Sequence, residues 1–270
     1  MKVVHRIGLN STAELRRELA LLAKRFIGKG NPLTSNFVVF EIAECDPDWP
    51  AVRDWISRSL RGDVLDIVHT TFDEQELSHA KYLSMDRAFV QGYPQPDADY
   101  RYRAITYSGQ PCQCAVGMRQ VAPFQFKKEP NWGRNGIMQL TWVEDEYFVT
   151  PRVWEKVFRP HGIDSRPVSD RKGRTLETVV QLVFAEEVGL DTSGLAIAQE
   201  CALSGQTKFK GIVRGYLPRL CSAPGTHGFR SKEVFGYNLQ AYRQVIVSQS
   251  VRHALQENKV RGVTFVPVEQ

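Results

Sequence analysis

The first ninety residues show apolar side chains at two different spacings, which predicts alternating strands and helices. Between residues 13 and 26, leucines and a phenylalanine recur every three or four positions, as in an amphipathic helix, and Ser11 or Thr12 precedes them as a cap. A second helix is expected over residues 48–60, where the missing N–H of Pro50 costs nothing in the first turn. Strands are expected at residues 3–7, 36–42 and 64–72, and a further helix at residues 73–82.

A turn-rich segment at residues 92–100 interrupts this order, because it has two prolines and two aspartates in nine residues. We therefore expect an N-terminal α/β layer over residues 1–91, a linker over residues 92–100 and a larger mixed α+β domain over residues 101–270. The fold class expected for the whole chain is α+β. In the second domain, strands are expected at residues 100–107, 175–185, 242–247 and 263–268, and helices directly after Thr150 and Ser248.

The charge and hydropathy of the chain indicate where the protein is located and which kinds of partner it attracts. The chain has no run of about 18 apolar residues, and its amino terminus lacks the apolar core of a signal peptide, so we expect a cytoplasmic protein without a membrane span. Residues 1–100 have 12 lysines and arginines against 15 acids, whereas residues 101–270 have 23 against 15, a net charge of +8. That excess predicts attraction to phosphate or to an acidic partner, although basic residues spread in this way are more typical of a solvated surface.

The five cysteines are widely scattered and odd in number, which favours reduced thiols or metal ligands over a disulfide framework. A structural zinc site typically uses two CxxC pairs, whose spacing lets both sulfurs face one ion. Cys112 and Cys114 are one residue apart, which is too close for such a pair, and Cys201 is followed by Ser204 where its partner cysteine would be. Only Cys114 and Cys201 are placed as zinc ligands would be.

Six segments of the second half bear a specific likeness to a known family. They are QVAPFQFKKEP (120–130), LTWVEDEYFVTPRVWEKVF (140–158), GIDSRPV (162–168), ETVVQLV (177–183), SKEVFGYNLQAYRQVIVSQSVRHAL (231–255) and VRGVTFVPV (260–268). In order and content, this part of the chain resembles the bacterial double-CXXCG motif proteins, some of which are immunity proteins against contact-delivered swarming-inhibition toxins. The resemblance covers residues 105–270. It implies a fold built on a zinc-ribbon-like pair of knuckles, and a non-enzymatic protein that binds and neutralises a bacterial toxin.

On this resemblance, both CXXCG motifs are degenerate. Cys114 corresponds to the second cysteine of the first motif and Cys201 to the first cysteine of the second, while Pro111, Ala115 and Ser204 replace other motif residues. Because two of the four thiolates are missing, we expect zinc to be absent and hydrophobic packing to hold the knuckles together. If zinc is retained, the expected ligands are Cys112, Cys114, Cys201 and Cys221.

An acidic cluster of Glu144, Asp145 and Glu146 lies between Trp142 and Tyr147. On a regular strand, Glu144 and Glu146 share one face, an arrangement that suits general acid–base catalysis or a hard cation. Acids that are solvated or paired with arginine at a strand end explain the cluster more simply. An enzyme centred on Glu144 and Glu146 is kept as an alternative, but no GxGxxG, P-loop, HExxH or GxSxG motif supports it.

Aromatic and arginine side chains dominate the energetics of protein interfaces, so we expect a protein partner, a toxin, to bind beside the acidic cluster. The expected contact residues are Trp132, Arg134, Trp142, Glu144, Glu146 and Tyr147. A nucleic-acid-binding module derived from a zinc ribbon is the other alternative. The charge of +8 and the alternating tyrosines of residues 100–107 favour it.

Overall fold

The computed structural model of the protein describes residues 1–10, 37–59, 64–86, 89–98, 100–109 and 116–270. It confirms a mixed α+β fold and divides into two compact units, one of residues 1–76 and 212–215 and one of residues 77–211 and 216–270. The helix expected over residues 13–26 lies outside the described residues, as do Cys112 and Cys114. Within the described ranges, no helix has the length and apolar character that crossing a membrane requires.

The first unit is a three-stranded antiparallel sheet with one long helix in its described part. Its elements are β1 (Lys2–Asn10), β2 (Phe37–Ala43), α1 (Trp49–Ser59) and β3 (Val64–Thr71). The strand order is β2–β1–β3, and both pairings are antiparallel. The strands and the helix agree with the expected positions, but the antiparallel pairing makes this layer α+β rather than a parallel α/β layer.

A buried histidine ties the first unit together. His5 on β1 is 4% exposed, and its ring stacks on Trp49 of α1 with 4.0 Å between ring centres. Its Nδ1 lies 2.9 Å from the carboxylate of Asp66, and its Nε2 lies 3.0 Å from Glu44. The hydrogen bonds that Glu44 accepts from His5 and Arg214 hold the pKa of this carboxyl below its ordinary value.

The second unit contains four sheets in its described part, with strand orders β5–β9–β10–β12–β11–β8, β13–β16–β18–β4–β19, β14–β15–β17 and β6–β7. The strands are β4 (Tyr82–Asp86), β5 (Phe89–Val90), β6 (Tyr107–Ser108), β7 (Arg119–Gln120), β8 (Gln125–Phe126), β9 (Ile137–Leu140), β10 (Val143–Val149), β11 (Asp164–Asp170), β12 (Thr175–Val183), β13 (Glu187–Val188), β14 (Ile197–Glu200), β15 (Thr207–Phe209), β16 (Gly228–Ser231), β17 (Val234–Phe235), β18 (Val245–Ser248) and β19 (Thr264–Pro267). The helices are α2 (Glu74–His79), which spans the boundary between the units, α3 (Tyr102–Thr106), α4 (Pro151–Val153) and α5 (Gln249–Glu257). A π turn (Trp154–Phe158) and a 3₁₀ turn (Arg159–His161) continue α4.

The six-stranded sheet is covered on both faces. One face packs with the five-stranded sheet and α5 in a core that includes Met85, Ile137, Val149, Leu182, Val247 and Leu255. The other face packs in a core that includes Tyr102, Phe124, Met138, Phe148, Val168 and Val179. Because alternate positions of a strand reach opposite faces, all four residues of β9 are buried.

The two units separate after residue 76, earlier than the boundary expected at residues 92–100. The reason is that β4 pairs with β18 and β19 and so belongs to the second unit. The turn-rich segment is also bound to that unit: Gly92 accepts a backbone hydrogen bond from Thr141, and Gln95 donates one to Gln125. The described part of this segment, residues 92–98, is therefore a bound loop rather than a free linker.

Residues 100–107 differ from the expected strand, because Tyr102–Thr106 form the short helix α3. Tyr102, Arg103 and Thr106 are buried, a helical spacing that the alternating tyrosines conceal. The expected helix after Thr150 is present, and the hydroxyl of Thr150 accepts a hydrogen bond from the backbone N–H of Val153.

Candidate functional site

A wide bulge in β10 creates the site. Val143 pairs with Leu140 and Phe148 pairs with Met138, so the four residues 144–147 lie opposite the single residue Gln139. The side-chain amide of Gln139 donates a hydrogen bond to the backbone oxygen of Glu144 and stabilises the bulged chain. The bulge breaks the alternation of a regular strand, so Glu144, Asp145 and Glu146 all border one cleft.

This cleft, which we call the Glu144 cleft, has a cavity volume of about 60 Å³. It is lined by three acids, three arginines and three tyrosines: Glu144, Asp145, Glu146, Arg103, Arg230, Arg243, Tyr102, Tyr107 and Tyr242. Trp142 and residues 116–118 complete its walls. Since a buried water needs about 10–15 Å³, the cleft has room for a few waters or for one small charged group.

Glu146 forms the buried part of the cleft and is already paired. It is 3% exposed, and its carboxylate lies 2.8 Å from a guanidinium nitrogen of Arg230 and accepts a 2.8 Å hydrogen bond from Gln181. Gln181 also exchanges hydrogen bonds with Gln120. Burial raises the pKa of Glu146, and the nearby Arg230 opposes that rise. Arg230 and Gln181 thus hold one oxygen of Glu146, Oε2, within the protein.

Glu144 and Asp145 are half-buried and keep spare acceptor capacity. Glu144 accepts one hydrogen bond from the side chain of Gln240 at 2.9 Å, and Asp145 accepts one from the backbone N–H of Arg243 at 3.0 Å. Glu144 also accepts a hydrogen bond from its own backbone N–H. Because a carboxylate has about four acceptor sites, each of the two acids retains sites that can accept from a ligand. Burial raises the pKa of Glu144.

The net charge at the mouth of the cleft is negative. Arg230 neutralises Glu146, and Arg243 lies 3.7 Å from the carboxylate of Glu187. The charged lining residues that remain uncompensated are then two acids, Glu144 and Asp145, and one cation, Arg103. Two carboxylates with spare acceptor sites and one compensating cation favour a positively charged ligand.

Two buried cations shape the loop that carries Gln240. Lys208 is 1% exposed and donates hydrogen bonds to the backbone oxygens of Asn238 and Gln240, the latter at 2.9 Å. Arg103 donates to the oxygen of Leu239 at 2.8 Å. Three consecutive carbonyl groups are thus held by positive charges, which fixes the loop so that the side chain of Gln240 reaches Glu144.

Aromatic rings flank the cleft, and two of them belong to residues whose backbone is strained. Trp142 stacks on Tyr100 with 4.9 Å between ring centres and meets Tyr93 edge-on at 4.7 Å. Trp142 and Tyr100 both have positive φ angles, 70° and 60°, which cost about 1–3 kcal/mol each in residues other than glycine. The guanidinium of Arg103 lies 4.5 Å from the centre of the Tyr100 ring. This packing stabilises the strained backbone beside the acids.

The tyrosines of the cleft remain neutral hydrogen-bonding groups. Burial raises the pKa of Tyr102 to about 12 and that of Tyr242 to about 12. The hydroxyl of Tyr102 donates to the backbone oxygen of Trp142 at 3.1 Å, which fixes the turn between β9 and β10.

The structure brings together three of the six expected contact residues, since Trp142, Glu144 and Glu146 line the cleft. Trp132 and Arg134 do not line the cleft. Trp132 packs against the core that contains Phe124 and Phe148, and its ring N–H donates to the backbone oxygen of Thr178 at 3.1 Å. Tyr147 requires a correction, because it is 2% exposed and its hydroxyl donates to the backbone oxygen of Met85 at 2.5 Å. A partner cannot reach it in the folded protein.

Sequence reasoning missed the opposite wall of the cleft, which includes Arg103, Arg230 and Arg243, and it missed Gln240, whose side chain donates to Glu144. One usable signal was Gln181, a single amide in the apolar run of β12, because a buried polar side chain requires a partner. Nothing in the sequence pairs Gln181 with the acidic cluster, since the contact joins different strands.

The segment expected to form the second knuckle contains a tight turn with a single thiol, Cys201. Cys201 follows β14, Gly205 adopts a φ of 67°, and its N–H donates to the oxygen of Cys201 at 2.8 Å. Hydrogen bonds from Ser204 and from the backbone of Leu203 lower the pKa of the Cys201 thiol. Cys221 is exposed. In the part of the chain that the structure describes, no three His, Cys, Asp or Glu side chains form a group able to hold a metal ion.

Comparison with models of known protein families and with curated protein sequences gave no match for this chain.

Proposed function

We propose that this chain is a non-enzymatic binding protein, an immunity protein that binds and neutralises a bacterial toxin in the cytoplasm. We further propose that the Glu144 cleft receives a basic side chain of that toxin. The sequence resemblance of residues 105–270 to the double-CXXCG motif proteins supports the first part. The second part rests on one observation: the carboxylates of Glu144 and Asp145 both border a small, preformed cleft, and each accepts only one or two hydrogen bonds from the described residues.

The size of the cleft favours a partner side chain over a whole small molecule. A volume of about 60 Å³ is well below the 300–1,000 Å³ typical of small-molecule sites. A single inserted lysine or arginine fits such a cleft, where the carboxylates accept its hydrogen bonds and the rings of Trp142 and Tyr242 can pack on its apolar part. Small, well-packed pockets of this kind are where the energy of protein interfaces is concentrated.

The test is a neutralisation and binding assay with the full chain and the toxin candidate encoded beside it. The chain should restore growth when the two proteins are co-expressed. Glu144→Gln and Asp145→Asn keep the shape of each side chain but remove its charge, and each should weaken binding about tenfold or more. Glu257→Gln is the matched control, because Glu257 is an exposed acid at the end of α5.

Unchanged affinity in both cleft variants would overturn the role of the cleft. Failure of the chain to bind or neutralise the candidate would overturn the immunity function. Binding to DNA or RNA that falls steeply with salt would replace the proposal with the nucleic-acid alternative.

One observation favours a second candidate, an enzyme centred on the cleft. Glu144 is a carboxyl group in a cleft with its pKa raised by burial, as a general acid requires. In that case, Glu144→Gln would abolish turnover while substrate binding stays within a few fold of the unmodified chain. An immunity protein would instead show loss of partner affinity and no turnover in either form.

A further inference from the structure

A pair of histidines lies in the second unit, outside the Glu144 cleft and both knuckles. His161 ends the 3₁₀ turn after α4, where Gly162 with a φ of 70° terminates the helical chain. His227 precedes β16 and is exposed, whereas His161 is half-buried. The centres of the two rings are 5.2 Å apart, and the ring planes are nearly perpendicular at 85°.

Hydrogen bonds at Nδ1 orient both rings. Nδ1 of His161 lies 2.7 Å from the backbone oxygen of Val157. Because a carbonyl oxygen only accepts, the proton of the neutral ring is on Nδ1 and the lone pair is on Nε2. Nδ1 of His227 lies 2.9 Å from the hydroxyl of Ser248 and 3.2 Å from that of Ser250, and a hydroxyl can accept the same kind of bond.

The Nε2 atoms of both rings have no hydrogen-bond partner among the described residues. Metal-binding histidines characteristically donate one ring N–H to a carbonyl or another polar group, which leaves the other nitrogen to coordinate. His161 shows this pattern with Val157, and His227 can show it with Ser248.

We propose that His161 and His227 form a binding site for a divalent transition metal ion such as Zn²⁺, held through the two Nε2 atoms. Nitrogens bound to one tetrahedral zinc ion at about 2.0–2.1 Å lie roughly 3.4 Å apart, which places the ring centres behind them roughly 5 Å apart. The observed separation of 5.2 Å lies close to this value.

The donor set determines the kind of site. Imidazole nitrogen suits Zn²⁺, Ni²⁺ and Cu²⁺, and among these Cu²⁺ binds most tightly. Within the described chain, no third His, Cys, Asp or Glu joins the pair, so water would occupy the remaining positions. A closed structural site has four protein ligands, and this one is therefore open and exchangeable.

The exposure of His227 provides the entry path for the ion. The site does not depend on the proposed immunity function, because it uses none of the residues of the Glu144 cleft.

The test is a Zn²⁺ titration of the full chain, followed by NMR of the ¹⁵N-labelled imidazole groups. The resonances of His161 and His227 should shift together with one midpoint, whereas that of His253 should not. In His161→Ala the affinity for Zn²⁺ is followed at His227, and in His227→Ala it is followed at His161. Each substitution should lower this affinity by about tenfold or more. His253→Ala, an exposed histidine on α5, should leave the midpoint unchanged.

Because the NMR signal of each imidazole is observed separately, zinc that binds to the cysteines is not mistaken for binding at the histidine pair. The amide spectrum of each variant shows whether it remains folded. The proposal is overturned if neither imidazole shifts at millimolar Zn²⁺, or if His227→Ala leaves the midpoint at His161 unchanged. In either case the pair is an edge-to-face ring contact only.

Discussion

Removal of Arg230 should destabilise the second unit through the charge that it leaves buried. The guanidinium of Arg230 lies 2.8 Å from Glu146, which is 3% exposed, and the side chain of Arg230 is itself only 16% exposed. Unit charges about 4 Å apart attract by about 4 kcal/mol near a protein surface, and the desolvation of both groups offsets much of this. Loss of one partner leaves the other charge uncompensated, so Arg230→Met should cost about 3–5 kcal/mol at pH 7.

The pH dependence of this cost has a defined sign. Burial raises the pKa of Glu146 above its unfolded value, so the folded protein binds this proton more tightly than the unfolded chain does. Without Arg230, the pKa of Glu146 rises further, because an attractive charge is removed. The stability of Arg230→Met is then greatest at acid pH and is lost as the pH rises through the folded pKa. The cost of the substitution should therefore shrink between pH 7 and pH 5.

Urea denaturation measures the free energy of unfolding, and hydrogen exchange in the β10–β12 pair assigns the change to the second unit. The control is the double variant Arg230→Met with Glu146→Leu, which removes both charges and should lie within about 1 kcal/mol of the unmodified chain. A cost below about 1 kcal/mol for Arg230→Met, or a cost that does not change with pH, would refute the reasoning.

Three further predictions follow from single residues. Gly262→Ala should cost more than about 2 kcal/mol of unfolding free energy by urea denaturation, because φ is 110° and a Cβ there would lie 2.2 Å from a backbone oxygen; Gly173→Ala, with a positive φ but nothing within 4 Å, should cost about 1 kcal/mol. His5→Ala should weaken protection from hydrogen exchange in β1 and β3 by about 2–3 kcal/mol, because Asp66 and Glu44 each lose a hydrogen bond and Trp49 loses its stacking partner; unchanged protection would contradict the role given to His5. Glu144→Gln should leave stability at pH 7 unchanged or raise it by up to about 1 kcal/mol, since it removes a charge that burial disfavours; a clear loss in thermal unfolding would contradict this reading.

The sequence alone was sufficient to predict those helices and strands whose positions depend on neighbouring residues. Thr150 and Pro151 mark the start of α4, because a capping hydroxyl followed by proline has one favourable placement. The strands at residues 36–42 and 64–72 were expected from their apolar pattern and are present as β2 and β3.

Tertiary packing decided the elements that were missed. Residues 100–107 alternate as a strand would, yet they form α3, because burial of Tyr102, Arg103 and Thr106 outweighs the local preference. The β10 bulge depends on the register between β9 and β10, which a sequence pattern does not encode.

The candidate site was predictable in part. Three adjacent acids stand out in any sequence, and they do line the cleft. Their different environments were not predictable, because Arg230 and Gln240 come from distant segments of the chain. A pattern along one strand cannot show which of its acids is buried and paired and which is free to bind.

The most direct test of the proposed function is hydrogen exchange of the full chain, with and without the candidate toxin. The account predicts that protection on binding is concentrated at the cleft, in residues 142–146 and 240–243, and that Glu144→Gln removes it at matched concentrations. Protection confined to residues 1–76, or an unchanged footprint in Glu144→Gln, would contradict the claim that the Glu144 cleft is the binding site.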